Sequence, residues 1–106
     1  MAGRLLKMIA ACAALVAVPA TGAYADATAG GRLAQRWCAS CHAVGGDSPP
    51  PASLPQGPPT FRSIADSGKT PDQLSAFLTR PHGQMPDLAL SRAEIDDLVD
   101  YIGTLR

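Results

Sequence analysis

Cys38-Ala39-Ser40-Cys41-His42 carries two thiols three positions apart and an imidazole directly after the second. C-x-x-C-H is the attachment pattern of a c-type haem. Two thiols at this spacing can each form a thioether with one of the two haem vinyl groups, and the adjacent imidazole is then carried to the iron as an axial ligand. Three other readings compete. A thioredoxin-like redox pair needs a βαβ setting, and no strand pattern is visible. A zinc site needs four ligands. Cys38, Cys41, His42 and His82 could supply them, but without zinc-finger spacing. A structural disulfide is the plainest alternative.

Upstream, Ala27 to Trp37 reads as a helix: Gly30, Leu33, Ala34 and Trp37 fall at i, i+3, i+4 and i+7, with Arg32, Gln35 and Arg36 opposite. Gly30 costs helix stability, so a close helix–helix approach is expected there. Trp37 reads as a ring packed against haem rather than as an electron relay. Downstream, Ala43 to Pro59 has loop composition. Six of the ten prolines lie in it (Pro49, Pro50, Pro51, Pro55, Pro58, Pro59), together with Gly45, Gly46 and Gly57. That density excludes regular helix or sheet. The run at 49–51 reads as a stiff loop rather than a polyproline docking segment.

Phe61 and Ile64 suggest a single helical turn. Thr70-Pro71-Asp72-Gln73 is a helix start, with Thr70 as N-cap, Pro71 at the first helical position and Gln73 completing a capping box. Leu74, Phe77 and Leu78 form its apolar face, and Pro81 ends it by pushing Arg80 out of helical geometry. A second capping box, Ser91 to Glu94, opens a last helix with Ile95, Leu98, Val99 and Ile102 on one face. Asp96, Asp97 and Asp100 take its solvated side. There is no internal repeat.

An iron with His42 on one side has a sixth position to fill. Beyond residue 25 the one sulfur candidate is Met85 and the other imidazole is His82, both in Pro81-His82-Gly83-Gln84-Met85-Pro86. A lone Met is usually core filler, but this one sits in a polar loop beside a proline, an odd place for filler. Met85 is therefore preferred as ligand, with His82 or an open iron as alternatives. A neutral thioether raises the reduction potential. The free ring nitrogen of His42 should donate to a carbonyl, and the rigid Gly57-Pro58-Pro59 segment is its natural source.

The chain of 106 residues suits one domain. Its start has the form of an export signal: Arg4 and Lys7, an apolar run from Met8 to Val18, then Ala23-Tyr24-Ala25. Cleavage is expected after Ala25, giving a signal at 1–25 and a domain at 26–106. The apolar run is too short to span a bilayer, so no membrane insertion is expected after cleavage. A lipoprotein box ending at Cys12 and an uncleaved anchor are the alternatives. Of nine basic residues, Arg4 and Lys7 fall in the signal, leaving seven against nine acidic ones, a net of −2. No basic stripe suggests nucleic-acid binding. So short a domain has little core of its own, and a covalent haem would supply apolar surface. An exporting, oxidising compartment would tend to close the C-x-x-C as a disulfide, so maturation must reduce it before haem is attached.

Taken together, these elements resemble the class I c-type cytochromes, small single-haem proteins with His/Met ligation. The matching features are Gly30 before the motif, Cys38-Ala39-Ser40-Cys41-His42, Gly57-Pro58, Met85-Pro86, and Leu98 with Tyr101-Ile102 in the last helix. The resemblance implies an all-α cytochrome c fold, three to five short helices wrapped round one covalently attached haem c, with first and last helices crossing near Gly30 and Tyr101. It implies thioethers at Cys38 and Cys41, iron ligands His42 and Met85, and a Pro58 carbonyl accepting from His42. Two departures stand out: the proline-rich 47–59 loop, and the scarcity of lysine, with only Lys69 beyond the signal. The lysine ring that mitochondrial relatives use for docking is missing. The implied function is a soluble periplasmic one-electron carrier, not an enzyme. It would work between a dehydrogenase or membrane complex as donor and an oxidase or reductase as acceptor. A gas-binding haem sensor needs a labile sixth ligand. A peroxidase needs an open iron face and a distal acid–base pair, towards which only His82 is available.

Overall fold

The computed structural model describes residues 14, 16–18, 24–49, 57–80 and 83–106. Most of the expected signal, the centre of the proline-rich loop and His82 lie outside the described residues. Among the described residues four helices follow in chain order: α1 (Ala27–Trp37), α2 (Phe61–Asp66), α3 (Pro71–Thr79) and α4 (Arg92–Gly103). No strand occurs among the described residues, so the all-α expectation holds.

Each helix starts where a side chain can satisfy its orphan amides. Asp26 caps α1, its carboxylate accepting from Thr28 N at 2.8 Å and Ala29 N at 3.2 Å. Thr60 caps α2 by accepting from Ser63 N at 3.0 Å. The two capping boxes form as expected. Thr70 Oγ1 accepts from Gln73 N at 3.2 Å while Thr70 N donates to Gln73 Oε1 at 2.9 Å. Ser91 and Glu94 do the same at 3.1 and 2.8 Å. Arg80, with φ −117° and ψ 135°, is extended, as the residue before a proline should be.

The principal packing is α1 against α4, and Gly30 sets its distance. A Cβ there would overlap the Asp97 carbonyl oxygen and stand 2.8 Å from Tyr101 Cβ. Only a residue without a side chain allows the two backbones so close. Asp97 also reaches back with its side chain: Asp26 N donates to Asp97 Oδ1 at 2.7 Å. Around this crossing lies one apolar cluster. It comprises Ala34 and Cys38, then Val44, Phe61, Ala65 and Leu74, closed by Ile95, Leu98, Val99 and Ile102 of α4. All four apolar positions expected on the last helix are buried, each contributing about 1.5–3 kcal/mol of transfer free energy when fully covered. α2 runs for six residues rather than a single turn, because the Thr60 cap and the buried Phe61 and Ala65 hold both of its ends.

Candidate haem-attachment site

The attachment motif grows out of the end of α1. Cys38 N still bonds to Ala34 O at 2.9 Å, and the chain then closes a turn in which Cys41 N and His42 N both donate to Cys38 O, at 3.1 and 2.8 Å. That turn gathers Cys38, Cys41 and His42 into one short unit. Both thiols are free. Cys38 is buried and Cys41 exposed. Burial pushes the Cys38 thiol pKa up, and the neighbouring Cys41 adds in the same direction.

Beyond the motif, two bonds pull the following chain onto the core. Phe61 N donates to Ala43 O at 2.9 Å, and the Tyr101 hydroxyl donates to Val44 O at 2.6 Å. The Phe61 ring lies between the His42 ring (centroids 5.4 Å, planes at 60°) and the Tyr101 ring (6.4 Å, 55°). Tilted aromatic contacts of this kind add specific geometry to apolar burial. The His42 ring is thereby held on one face by Phe61.

At its edge His42 is held by a carbonyl: Nδ1 lies 2.7 Å from Pro59 O. A carbonyl can only accept, so Nδ1 carries the proton and Nε2 keeps its lone pair. The rigid Gly-Pro-Pro segment is thus the source of the carbonyl, but the residue is Pro59 and not Pro58. The anchors explain the shift. The segment is fastened from its far end, where Phe61 N bonds Ala43 O and the Phe61 ring meets His42, so the carbonyl delivered is the one two residues before Phe61.

Met85 is half-buried and lines a small pocket with Leu78, Leu88 and Leu90. It follows Gly83, whose φ of +58° turns the chain into this segment. No hydrogen bond or ring contact among the described residues joins Met85 to the Cys38–His42 unit. Trp37, read from sequence as a packing residue, is 51% exposed and lies outside the cluster formed by the chain's own apolar side chains.

The donor set fits a covalent haem. Two unpaired thiols stand at the right spacing, an imidazole is fixed in the tautomer that leaves Nε2 available, and Val44, Phe61 and Leu98 provide apolar surroundings. Among the described residues no group of three or more His, Cys, Asp or Glu side chains is placed to hold a bare metal ion. Sequence reasoning missed two supports of this unit, the Tyr101–Val44 bond and the Phe61–His42 ring contact. Both join residues distant in sequence, and the one visible signal was an aromatic ring in each of two helices that otherwise carry aliphatic faces.

Comparison with known proteins agrees. Residues 25–102 match the family model described as cytochrome c oxidase, cbb3-type, subunit III. The chain is 44% identical over 86 residues to a protein named cytochrome c-552 from Bradyrhizobium diazoefficiens, covering 77% of each chain. No solved structure matches.

Proposed function

The chain belongs to the cytochrome c family, as a small monohaem class I c-type cytochrome with a covalently bound haem c that carries electrons between redox partners, and from that membership we propose a periplasmic carrier with His42 and Met85 as its axial ligands. Bound haem c supplies an iron centre that takes up and releases one electron. Cys38 and Cys41 would hold it through two thioethers, one to each of its vinyl side chains. His42 ligates through Nε2. The observation that carries this assignment is the 2.7 Å bond from Nδ1 to Pro59 O, which fixes the tautomer and ring orientation and raises ligand basicity.

Met85 supplies a neutral thioether, which favours the ferrous state and raises the potential. Its half-buried position in the segment before α4 supports the role. Trp37, next to Cys38, presents its exposed ring for packing against the group. With His42 and Met85 both holding the iron, the chain would serve electron transfer rather than substrate turnover.

Residues 1–25 act as a signal cleaved after Ala25, leaving the domain at 26–106. Two observations support this. The family match begins at residue 25, and the α1 cap is Asp26. No helix among the described residues is long and apolar enough to cross a membrane. A dehydrogenase or membrane complex is the donor and an oxidase or reductase the acceptor. The description of the matching family model, an oxidase subunit, supports an oxidase.

Ferric and ferrous spectra of the exported holoprotein test the ligand set. A covalent c-type spectrum with the weak far-red sulfur-to-iron band is expected. Met85→Ala should keep haem attached, abolish that band, lower the potential and let CO bind the ferrous iron. A variant that retained the native band and potential would remove Met85 from the ligand set.

A further inference from the structure

We infer that cleavage after Ala25 creates a structural ion pair: the new α-ammonium group of Asp26 binds the Asp97 carboxylate and locks α1 onto α4. The inference rests on the reading of residues 1–25 as a cleaved signal.

Three observations meet at one nitrogen. Asp26 N already lies 2.7 Å from Asp97 Oδ1, across 71 positions of sequence. The two residues just before it are exposed, Tyr24 at 89%, and neither belongs to the apolar cluster. Asp97 is also the residue whose carbonyl lies against Gly30, so its side chain and backbone together set the closest approach of the two helices.

Processing changes the charge at this nitrogen and leaves its position. In the uncleaved chain it is a neutral amide with one hydrogen. In the cleaved chain it is an ammonium with three, and the bond to Asp97 becomes charge-assisted. Without Asp97 the same charge would be a liability, because a cation at a helix N-terminus opposes the helix dipole. The Asp26 carboxylate is occupied by the Thr28 and Ala29 amides, so Asp97 is the group that offsets it. The fold is therefore tighter in the processed chain.

The test is a two-by-two comparison of exported holoproteins. One pair carries Asp97 or Asp97→Asn behind the natural cleavage site. The other pair has Gly-Ser inserted between Ala25 and Asp26, which moves the ammonium off the helix. Intact mass reports the N-terminus, and guanidinium unfolding of the ferric proteins reports stability. The expected result is a natural terminus at Asp26. Asp97→Asn should then raise the unfolding equilibrium constant about three- to fivefold more in the natural pair than in the extended pair. The difference should shrink in 1 M salt. A terminus elsewhere refutes the signal reading and the ion pair with it. A terminus at Asp26 with equal effects in both pairs refutes the ion pair alone. If Asp97→Asn yields no holoprotein, the salt dependence of the two Asp97 proteins decides: added salt must weaken the natural form more than the extended one, and equal responses overturn the proposal.

Discussion

Replacing Gly30 by Ala sets two opposing effects against each other, and the structure says which wins. On an isolated helix the change should stabilise by about 1 kcal/mol, since Gly costs that much in a helix interior. At the α1–α4 crossing the added carbon would overlap the Asp97 carbonyl oxygen and stand 2.8 Å from Tyr101 Cβ, well inside van der Waals contact. Both obstacles are stiff, one a backbone carbonyl and the other the first carbon of a side chain. Relief requires the helices to part. Overpacking of this kind costs about 1–3 kcal/mol, and separation also weakens the bond from Asp26 N to Asp97 Oδ1, worth about 1 kcal/mol net. Against the propensity gain, the net destabilisation is about 2 kcal/mol, a fall in melting temperature of about 10 °C for a domain of this size. Gly31→Ala is the internal control. Its carbon would meet the Tyr101 ring edge at 3.2 Å, which a small ring displacement can relieve, so its penalty should be well under half that of Gly30→Ala. Guanidinium unfolding of the ferric holoproteins reads both. A Gly30→Ala protein as stable as the parent, or more so, would refute the close-approach argument.

Two further substitutions probe other supports. Tyr101→Phe keeps the ring between Phe61 and α1 but strands the Val44 carbonyl, which the hydroxyl meets at 2.6 Å. It should lower stability by about 1–2 kcal/mol, seen as a lower denaturant midpoint with unchanged slope. Ala89 has φ 49°, a left-handed conformation that costs an L-residue about 1–2 kcal/mol. Ala89→Gly removes that strain and returns part of the gain as unfolded-state entropy, for a net stabilisation of about 0.5–1 kcal/mol by the same assay.

The helices were legible because their signals are local. Thr70 with Gln73 and Ser91 with Glu94 announce helix starts within four residues, and the spacing of Ile95, Leu98, Val99 and Ile102 declares a buried face. Gly30 was legible in a weaker sense: its helix penalty pointed to a close contact, and the contact is there. What stayed hidden was the choice between equivalent neighbours. Pro58 and Pro59 both offer a carbonyl in the same rigid segment, and nothing local separates them. The choice is made by Phe61, fastened to Ala43 and His42 from the other side. The bond from Asp26 to Asp97 likewise depends on how α1 and α4 register against each other, and that from Tyr101 to Val44 on how the segment after His42 lies against α4. Periodicity cannot report that register. The six-residue α2 exceeded its expected single turn for the same reason, since its length is set by tertiary burial of Phe61 and Ala65.

The ties from α4 to Val44 and Asp26 also bear on how the sequence can change length. Both flanks of the Cys38–His42 unit are fastened to the last helix, directly through Tyr101 or through the α1 crossing. A single-residue insertion or deletion in α1 or α4 would take Gly30 away from Asp97 and separate the two ends that hold the motif.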